Sequence, residues 1–322
     1  MDVDSLLATC DEHQMAVVLA EDPRYPAMLR EIPDPPGVLF LWGSLPASDR
    51  IAMAIVGTRH ATHYGTRQAE RLSVELVRAG FTVVSGLARG IDAAAHRGCL
   101  QAGGRTLAVL GGGFLRLYPP EHTELAQQIR QQGCLISESP PQSPPCSGNF
   151  PQRNRVITGM SLGVIVIEAG HRSGALISAR HALEQGREVF ALPGRVDSPV
   201  SRGCHELLRD GAKLVESVDD VLEELDALVH CAASARQVES ALPAGKGDDG
   251  FELFELPTLG PEEQRIWDAI GEGRVSVDQV VMISQMPIQQ VLATVSRLEL
   301  RHLVQRTGGA WVERRRKRRD RK

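Results

Sequence analysis

Only 6 cysteines occur in 322 residues, and Cys10, Cys99, Cys134, Cys146, Cys204 and Cys231 form no CxxC pair and no regular spacing. Neither a zinc site nor a disulfide framework is indicated, and a reducing cytoplasm is the simplest home. No apolar run approaches the roughly 20 residues of a membrane span, and the start, MDVDSLLATCDEH, lacks the basic residues and apolar core of a signal peptide. Neither export nor membrane insertion is expected. No Gly-Lys-Ser/Thr follows a strand-like run, so there is no P-loop for ATP hydrolysis. The first glycine turn lacks the GxGxxG spacing, and the second strand-like run ends at Ser85 rather than at an acid for a ribose hydroxyl. A nicotinamide or flavin is therefore disfavoured, and no cofactor is expected.

A surplus of basic charge is also missing, since the formal net charge is -4. The average hides an asymmetry. Residues 313–322, ERRRKRRDRK, hold 8 Lys/Arg against 2 Asp/Glu, leaving 28 against 38 in the rest. A tail of +6 on a body of -10 reads as an arm for a polyanion or for solubility.

What is present suits two domains. The chain has room for two units of roughly 150 residues, and a hydrophobic fraction of 42% supplies a core. Residues 1–50 form a lead-in with the Pro-rich stretch Ile32-Pro33-Asp34-Pro35-Pro36. From 51 to about 215, β-branched runs near 51–56, 81–85, 105–110, 134–137, 163–167, 187–191 and 213–215 alternate with helical stretches near 64–79, 90–102, 120–132, 154–161, 174–185 and 203–210. This spacing predicts a Rossmann-like, doubly wound, mostly parallel α/β sheet over 51–230. A helix over 217–229 precedes a linker at 231–258, rich in Ala, Ser, Gly and Asp. Residues 259–313 then predict three helices (261–271, 276–283, 287–301) and a hairpin turning at Gly308-Gly309, the order of a winged helix. Trp267 and Trp311 are assigned to its core, and 314–322 is the basic tail.

Glycine turns stand where strand gives way to helix: Val56-Gly57-Thr58-Arg59, then Ser85-Gly86-Leu87-Ala88-Arg89-Gly90, then Gly111-Gly112-Gly113, and Ser173-Gly174. In a parallel sheet these junctions share one edge, so their N–H groups and helix N-termini converge on a crevice suited to phosphate. Arg59 and Arg89 lie in two of them. Phe150, Arg153, Asn154 and Arg155 form a further cluster, placed on a loop before the next strand. Several arginines beside several such turns point to a polyanion rather than to one nucleotide. An aromatic ring among arginines is also how single strands are held, with a base on the ring and phosphates on the guanidiniums.

Other constellations carry blander readings. His60 and His63 lack a third ligand at suitable spacing, and no metal is assigned to them or to Cys204-His205. Asp92, His96 and Ser85 suggest a hydrolase, but Ser85 is not in a G-x-S-x-G elbow, and Asp92 reads as a local cap or pair that fixes the turn.

At these residues the chain resembles the DNA-processing protein A family, DprA, also called Smf. The motifs are VGTRHATHYG (56–65), SGLARGIDAAAHRGCL (85–100), TLAVLGGG (106–113), LYPPEH (117–122), ISESPP (136–141), FPQRNRVITGMS (150–161), VIVIEAGHRSGALISARHALEQGREVFALPG (164–194) and RDGAKLV (209–215). The resemblance spans about 20 to 230. It implies an extended Rossmann domain, no enzymatic activity, binding of single-stranded DNA, a homodimer, and loading of a RecA-type recombinase during natural transformation. Carried onto this sequence, the DNA pocket uses Gly57, Arg59, Ser85, Gly86, Arg89, Gly90, Phe150, Arg153, Asn154 and Arg155, with Ser173 and Gly174 at the rim.

Two departures stand out. The longer N-terminal helical domain frequent in the family is expected to be absent or truncated, because fewer than about 25 residues precede the matching segment. Gly203-Cys204-His205 stands where the family pattern is Gly-Thr-Asn. The alternative function is a nucleoside-monophosphate phosphoribohydrolase of a related superfamily, which carries PGGxGTxxE. Here the corresponding turn, Glu168-Ala169-Gly170-His171-Arg172-Ser173-Gly174-Ala175-Leu176-Ile177-Ser178, has no carboxylate after the glycine, which speaks against it.

Overall fold

A computed structural model describes residues 2–225 and, in the C-terminal region, residues 261–270, 275–284, 286, 290, 291, 294, 295, 298, 304–307 and 311–314. The chain divides into two compact units, residues 1–229 and 230–322. The expected linker at 231–258, the turn at Gly308-Gly309 and, of the expected tail at 314–322, every residue but Arg314 lie outside the described residues.

The expected strands form at β3 (Ala52–Val56), β4 (Thr82–Ser85), β5 (Thr106–Leu110), β6 (Cys134–Ser137), β7 (Gly163–Val166), β8 (Glu188–Ala191) and β9 (Lys213–Leu214). All pair in parallel. Two more, β1 (Ala16–Leu19) and β2 (Val38–Gly43), come from the lead-in segment. They extend the same sheet antiparallel, with Phe40 opposite Ser137 and Gly43 opposite Cys134. The pattern of Val38 to Trp42 explains the recruitment. Leu39 and Leu41 enter the core on one face, while Phe40 enters the core on the other.

The strand order is β1-β2-β6-β5-β4-β3-β7-β8-β9. From β3 the chain winds outward to β6, then crosses back and winds the other way through β7, β8 and β9. The reversal lies between β3 and β7, where an open α/β sheet parts its two sets of connecting loops into a crevice.

The helices are α1 (Val3–Glu12), α2 (Ala27–Arg30), α3 (His63–Arg78), α4 (Ile91–Gln101), α5 (Thr123–Gln132), α6 (Asn149–Gly159), α7 (Gly174–Glu184) and α8 (Arg202–Arg209), with α9 beginning at 218 and described to 225. Thr62 caps α3 by accepting from the Gly65 N–H at 3.1 Å, and Ser173 caps α7 by accepting from the Ala175 N–H at 3.3 Å. One expectation is corrected here. The helix expected near 154–161 begins earlier, so Phe150 and Arg153, like Asn154 and Arg155, are not on a loop but in the first two turns of α6. Pro151 is compatible with helix there because first-turn N–H groups have no intrahelical acceptor to lose. Among the described residues no helix is long and apolar enough to cross a membrane.

In the second unit, α10 (Pro261–Ile270) and α11 (Val277–Ser284) accompany a three-stranded sheet in the order β10 (Val275–Ser276), β12 (Trp311–Arg314), β11 (Val304–Thr307). The short β10 adds a strand that the sequence did not suggest. Residues 290, 291, 294, 295 and 298 are helical where the third helix was expected, and its remaining residues lie outside the described ones. Ile266, Ile270, Val280, Val291, Val295 and Leu298 share one core, with Trp267 packed against it. The side chain of Trp311 lies outside the described residues.

Candidate nucleic-acid interface

The crevice at the switch point has a volume of about 650 Å3 and is lined from both sides of the reversal. The turn after β3 supplies Gly57, Thr58, Arg59 and His60, and the segment after β7 supplies Gly170, Arg172, Ser173 and Gly174. Phe150, Arg153 and Asn154 of α6 form a third wall. A smaller concavity beside it is lined by Arg59, Gly86, Ala88, Arg89, Tyr118, Pro119, Phe150 and Arg153.

The two turns nearest the crevice are stitched to each other and to β7. The Thr58 N–H donates to the Glu168 carbonyl at 2.7 Å, and the Ile91 N–H donates to the Thr58 carbonyl at 3.2 Å. The Glu168 carboxylate accepts from the Thr62 N–H at 2.9 Å and from the Thr62 hydroxyl at 2.5 Å. Glu168 is thus a fastener between β7 and the start of α3 and is not among the residues lining the crevice. Gly90 joins the second turn to α4 with φ +75°, and a Cβ there would run into the Thr58 carbonyl oxygen. That close approach is why a glycine stands at this junction.

The sequence-assigned residues fall into three groups. Gly57, Arg59, Phe150, Arg153, Asn154, Ser173 and Gly174 line the main crevice, and Gly86 and Arg89 line the smaller one. Ser85, Gly90 and Arg155 line neither. The Ser85 hydroxyl is buried and donates to the Ile55 carbonyl at 2.6 Å. Arg155 is held between two carboxylates, with Nη2 at 2.5 Å from Glu138 and Nε at 3.2 Å from Asp34. The triple-glycine turn is covered rather than open. Phe150 lies against Gly111, the Gly112 carbonyl accepts from Ser137 Oγ at 2.9 Å, and the Gly113 N–H donates to the Ser143 carbonyl at 3.0 Å.

Charge sorts the arginines further. Arg59 and Arg172 are exposed and take part in none of the ion pairs among the described residues. Arg59 Cζ sits 5.2 Å from the Phe150 ring centroid. Arg153 is only 5% exposed, and its Nη1 donates to the Val109 carbonyl at 2.8 Å. Burial lowers its pKa to about 10, with nearby Asp92 acting the other way. Asp92 is raised by its own burial, and it accepts from the Ala88 N–H at 3.3 Å. Arg172 and Tyr118 were not picked out from the sequence. A clue existed for each: an arginine two residues before the α7 N-terminus, and an aromatic within LYPPEH.

Cys204 faces the core, with Sγ 3.6 Å from the Val166 and Ile167 carbonyls and its thiol pushed up to about 12 by burial. His205 Nε2 lies 3.0 Å from the Gly194 carbonyl. A carbonyl only accepts, so the ring carries its proton on Nε2. Among the described residues, no group of three or more His, Cys, Asp or Glu is placed to hold a metal ion.

Arg155 permits a direct check. Arg155→Ala is expected to lower stability by about 1 kcal/mol, because a half-buried Glu138 loses its partner while the exposed Asp34 loses little. Urea unfolding measures this, and an unchanged midpoint would show that the two ion pairs contribute nothing.

These features define a doubly wound α/β protein with a crevice at its switch point lined by Arg59, Arg153 and Arg172, followed by a small winged-helix unit. The family model described as DNA recombination-mediator protein A matches residues 16–226, and the model described as DprA winged helix domain matches residues 254–310. The chain belongs to the DNA recombination-mediator protein A family, DprA/Smf. It is 38% identical over 315 residues to protein Smf of Escherichia coli, covering 98% of this chain and 81% of that protein. It is 43% identical over 221 residues to the DNA processing protein DprA of Bacillus subtilis, covering 68% and 74%. Among solved structures, DprA of Streptococcus pneumoniae matches with TM-score 0.65 at 42% identity, over 70% of this chain and 78% of that one. DNA processing protein A of Helicobacter pylori, described for its single-stranded DNA binding mode, matches with TM-score 0.59 at 29% identity, over 66% and 95%.

Proposed function

We propose that the crevice binds single-stranded DNA without strong sequence choice, and that the chain is a binding protein rather than an enzyme. The observation that carries this reading is Arg59, in none of the ion pairs among the described residues and lying over the Phe150 ring, at the mouth of a crevice whose other walls are the post-β7 turn and the capped start of α7. Ring and guanidinium offer stacking and phosphate neutralisation side by side. The Helicobacter pylori relative, whose single-stranded DNA binding is in its description, supports the ligand class. The family description as a recombination mediator supports delivery of the strand to a RecA-type recombinase. A homodimer, a cytoplasmic home and a role in natural transformation belong to the same proposal.

Asp92 reaches the wall of the crevice but is 7% exposed and accepts from the Ala88 N–H, and Glu168 is bonded to Thr62 and does not line the crevice, so neither is placed as a free acid or base there. The phosphoribohydrolase alternative gains nothing from this geometry.

Fluorescence anisotropy with single strands and duplexes of equal length at matched salt tests the reading, and equal affinity for both would refute it. Arg59→Ala is expected to lower the slope of log K against log salt by about 0.7, the value for one single-strand phosphate contact. Arg155→Ala, clasped by Glu138 and Asp34, is expected to leave that slope unchanged. A reversed pattern would move the phosphate site from the crevice to the Arg155 side of α6.

A further inference from the structure

Two arginine-covered rings stand side by side at the crevice mouth. Arg59 lies over Phe150 at 5.2 Å, and Arg89 lies over Tyr118 at 5.5 Å. The two rings are 5.7 Å apart between centroids, with 56° between their planes. Tyr118 follows β5 on a segment to which the sequence assigned no site, and it is 40% exposed. The pairs differ in one respect. Arg89 Nε is held by the Glu121 carboxylate at 2.5 Å, and its Nη1 donates to the Tyr118 hydroxyl at 3.2 Å, whereas Arg59 forms none of the ion pairs among the described residues.

We propose that Tyr118 and Arg89 form a second nucleotide subsite beside Phe150 and Arg59, with a base on the phenol ring, a backbone phosphate on the guanidinium, and Glu121 as the group that the phosphate displaces. The proposal rests on the single-stranded DNA reading above and gives it a second point of grip. A carboxylate oxygen bonded to an exposed guanidinium occupies a position that a phosphate oxygen would take, since both are anionic acceptors matched to the same fork. The pair is 43% and 49% exposed, so it contributes little to folding and exchanges readily with a competing anion.

The ring geometry sets the order of events. Rings tilted by 56° at 5.7 Å leave no slot for a base between them, because an inserted base needs about 7 Å, two contact distances of roughly 3.5 Å. Each base must therefore use the ring face that an arginine now covers. The guanidinium leaves as the base arrives, and the adjoining phosphate gives it a destination. A duplex presents no unstacked base to drive that exchange, so the second subsite adds to single-strand preference.

Full-length chain, fluorescein-labelled oligo-dT and strands carrying 2-aminopurine provide the test. Tyr118→Ala is expected to bind about tenfold more weakly and to lose part of the 2-aminopurine quenching, as for one lost stacking contact, with the salt slope unchanged. Tyr118→Phe should keep both affinity and quenching. Glu121→Gln should bind several-fold tighter with a slope steeper by about 0.7, because Arg89 no longer brings its own counter-charge. Tyr118→Ala equal to wild type in affinity and quenching would overturn the subsite. So would Tyr118→Phe failing like Tyr118→Ala, and Glu121→Gln binding more weakly would overturn the displacement. No binding of single strands by the wild type would bring down the crevice reading and this subsite together, whereas wild-type binding with an unaltered Tyr118→Ala removes the subsite alone.

Discussion

Replacing Arg153 with alanine is expected to destabilise the larger unit by about 3 kcal/mol, seen as a lower urea midpoint at unchanged m. The side chain is 5% exposed and donates to the Val109 carbonyl at the end of β5. Its guanidinium also fills the space over Gly86, where any Cβ would overlap it. Asp92, already raised by burial, has Arg153 as the first of the cations whose field lowers it. Truncation removes that field and the guanidinium's bond to the Val109 carbonyl, and opens a void beside the second turn. Gly86→Ala alone is also expected to destabilise, and most of that cost should vanish in the Arg153→Ala background, where the clash is gone. Such non-additivity is the signature of one shared contact. A loss below about 1 kcal/mol for Arg153→Ala, or simple additivity in the double variant, would show that Arg153 is a replaceable wall of the crevice rather than its internal brace.

Acid is expected to weaken the fold through His96, starting near pH 6.5. The ring is fully buried, and burial, with His122 and Arg153 contributing next, depresses its pKa to about 3. Thr106 Oγ1 donates to the Val83 carbonyl at 2.8 Å, so it accepts from His96 Nδ1 at 2.7 Å. The proton therefore sits on Nδ1, and Nε2 has no hydrogen-bond partner among the described residues. A proton added there would place a charge in the core with nothing to accept it. Because the folded pKa lies below the unfolded value of about 6.5, the unfolded chain binds the extra proton first, and stability falls as pH drops from about 6.5 towards 3. The expected loss is about 3 kcal/mol at pH 4 relative to pH 7. Asp92 acts in the opposite sense, since its raised pKa makes the folded state take up a proton first on acidification. In His96→Gln the slope of unfolding free energy between pH 4 and 6 should be shallower by about one proton, and an identical slope would exclude His96 as the acid-sensitive group.

The strand and helix framework was legible because it depends on short-range pattern. Runs such as Ile51 to Val56 and Thr106 to Leu110 are apolar on both faces, as a strand covered on both sides must be, and all seven expected strands formed within a residue or so of their expected bounds. The crevice was legible at the level of turns, since parallel strands leave their C-terminal junctions on one edge whatever the side chains do. Recruitment of β1 and β2 was not, because Val38 to Trp42 becomes a strand only when β6 offers its free edge. The helical start at Asn149 was hidden by Pro151, which reads as a breaker unless it lies in the first turn.

The sequence by itself determined the class of fold, the edge on which the crevice lies and the presence of arginines and an aromatic ring there. Tertiary structure alone decided what each arginine does. Arg59 and Arg172 are left open, Arg89 is held by Glu121, Arg155 is clasped by Asp34 and Glu138, and Arg153 is driven inside against Gly86. The physical reason is that a strand's pattern is written in adjacent residues, whereas a guanidinium's role depends on which carboxylate, carbonyl or ring a distant part of the chain brings within about 3 Å to 5 Å of it.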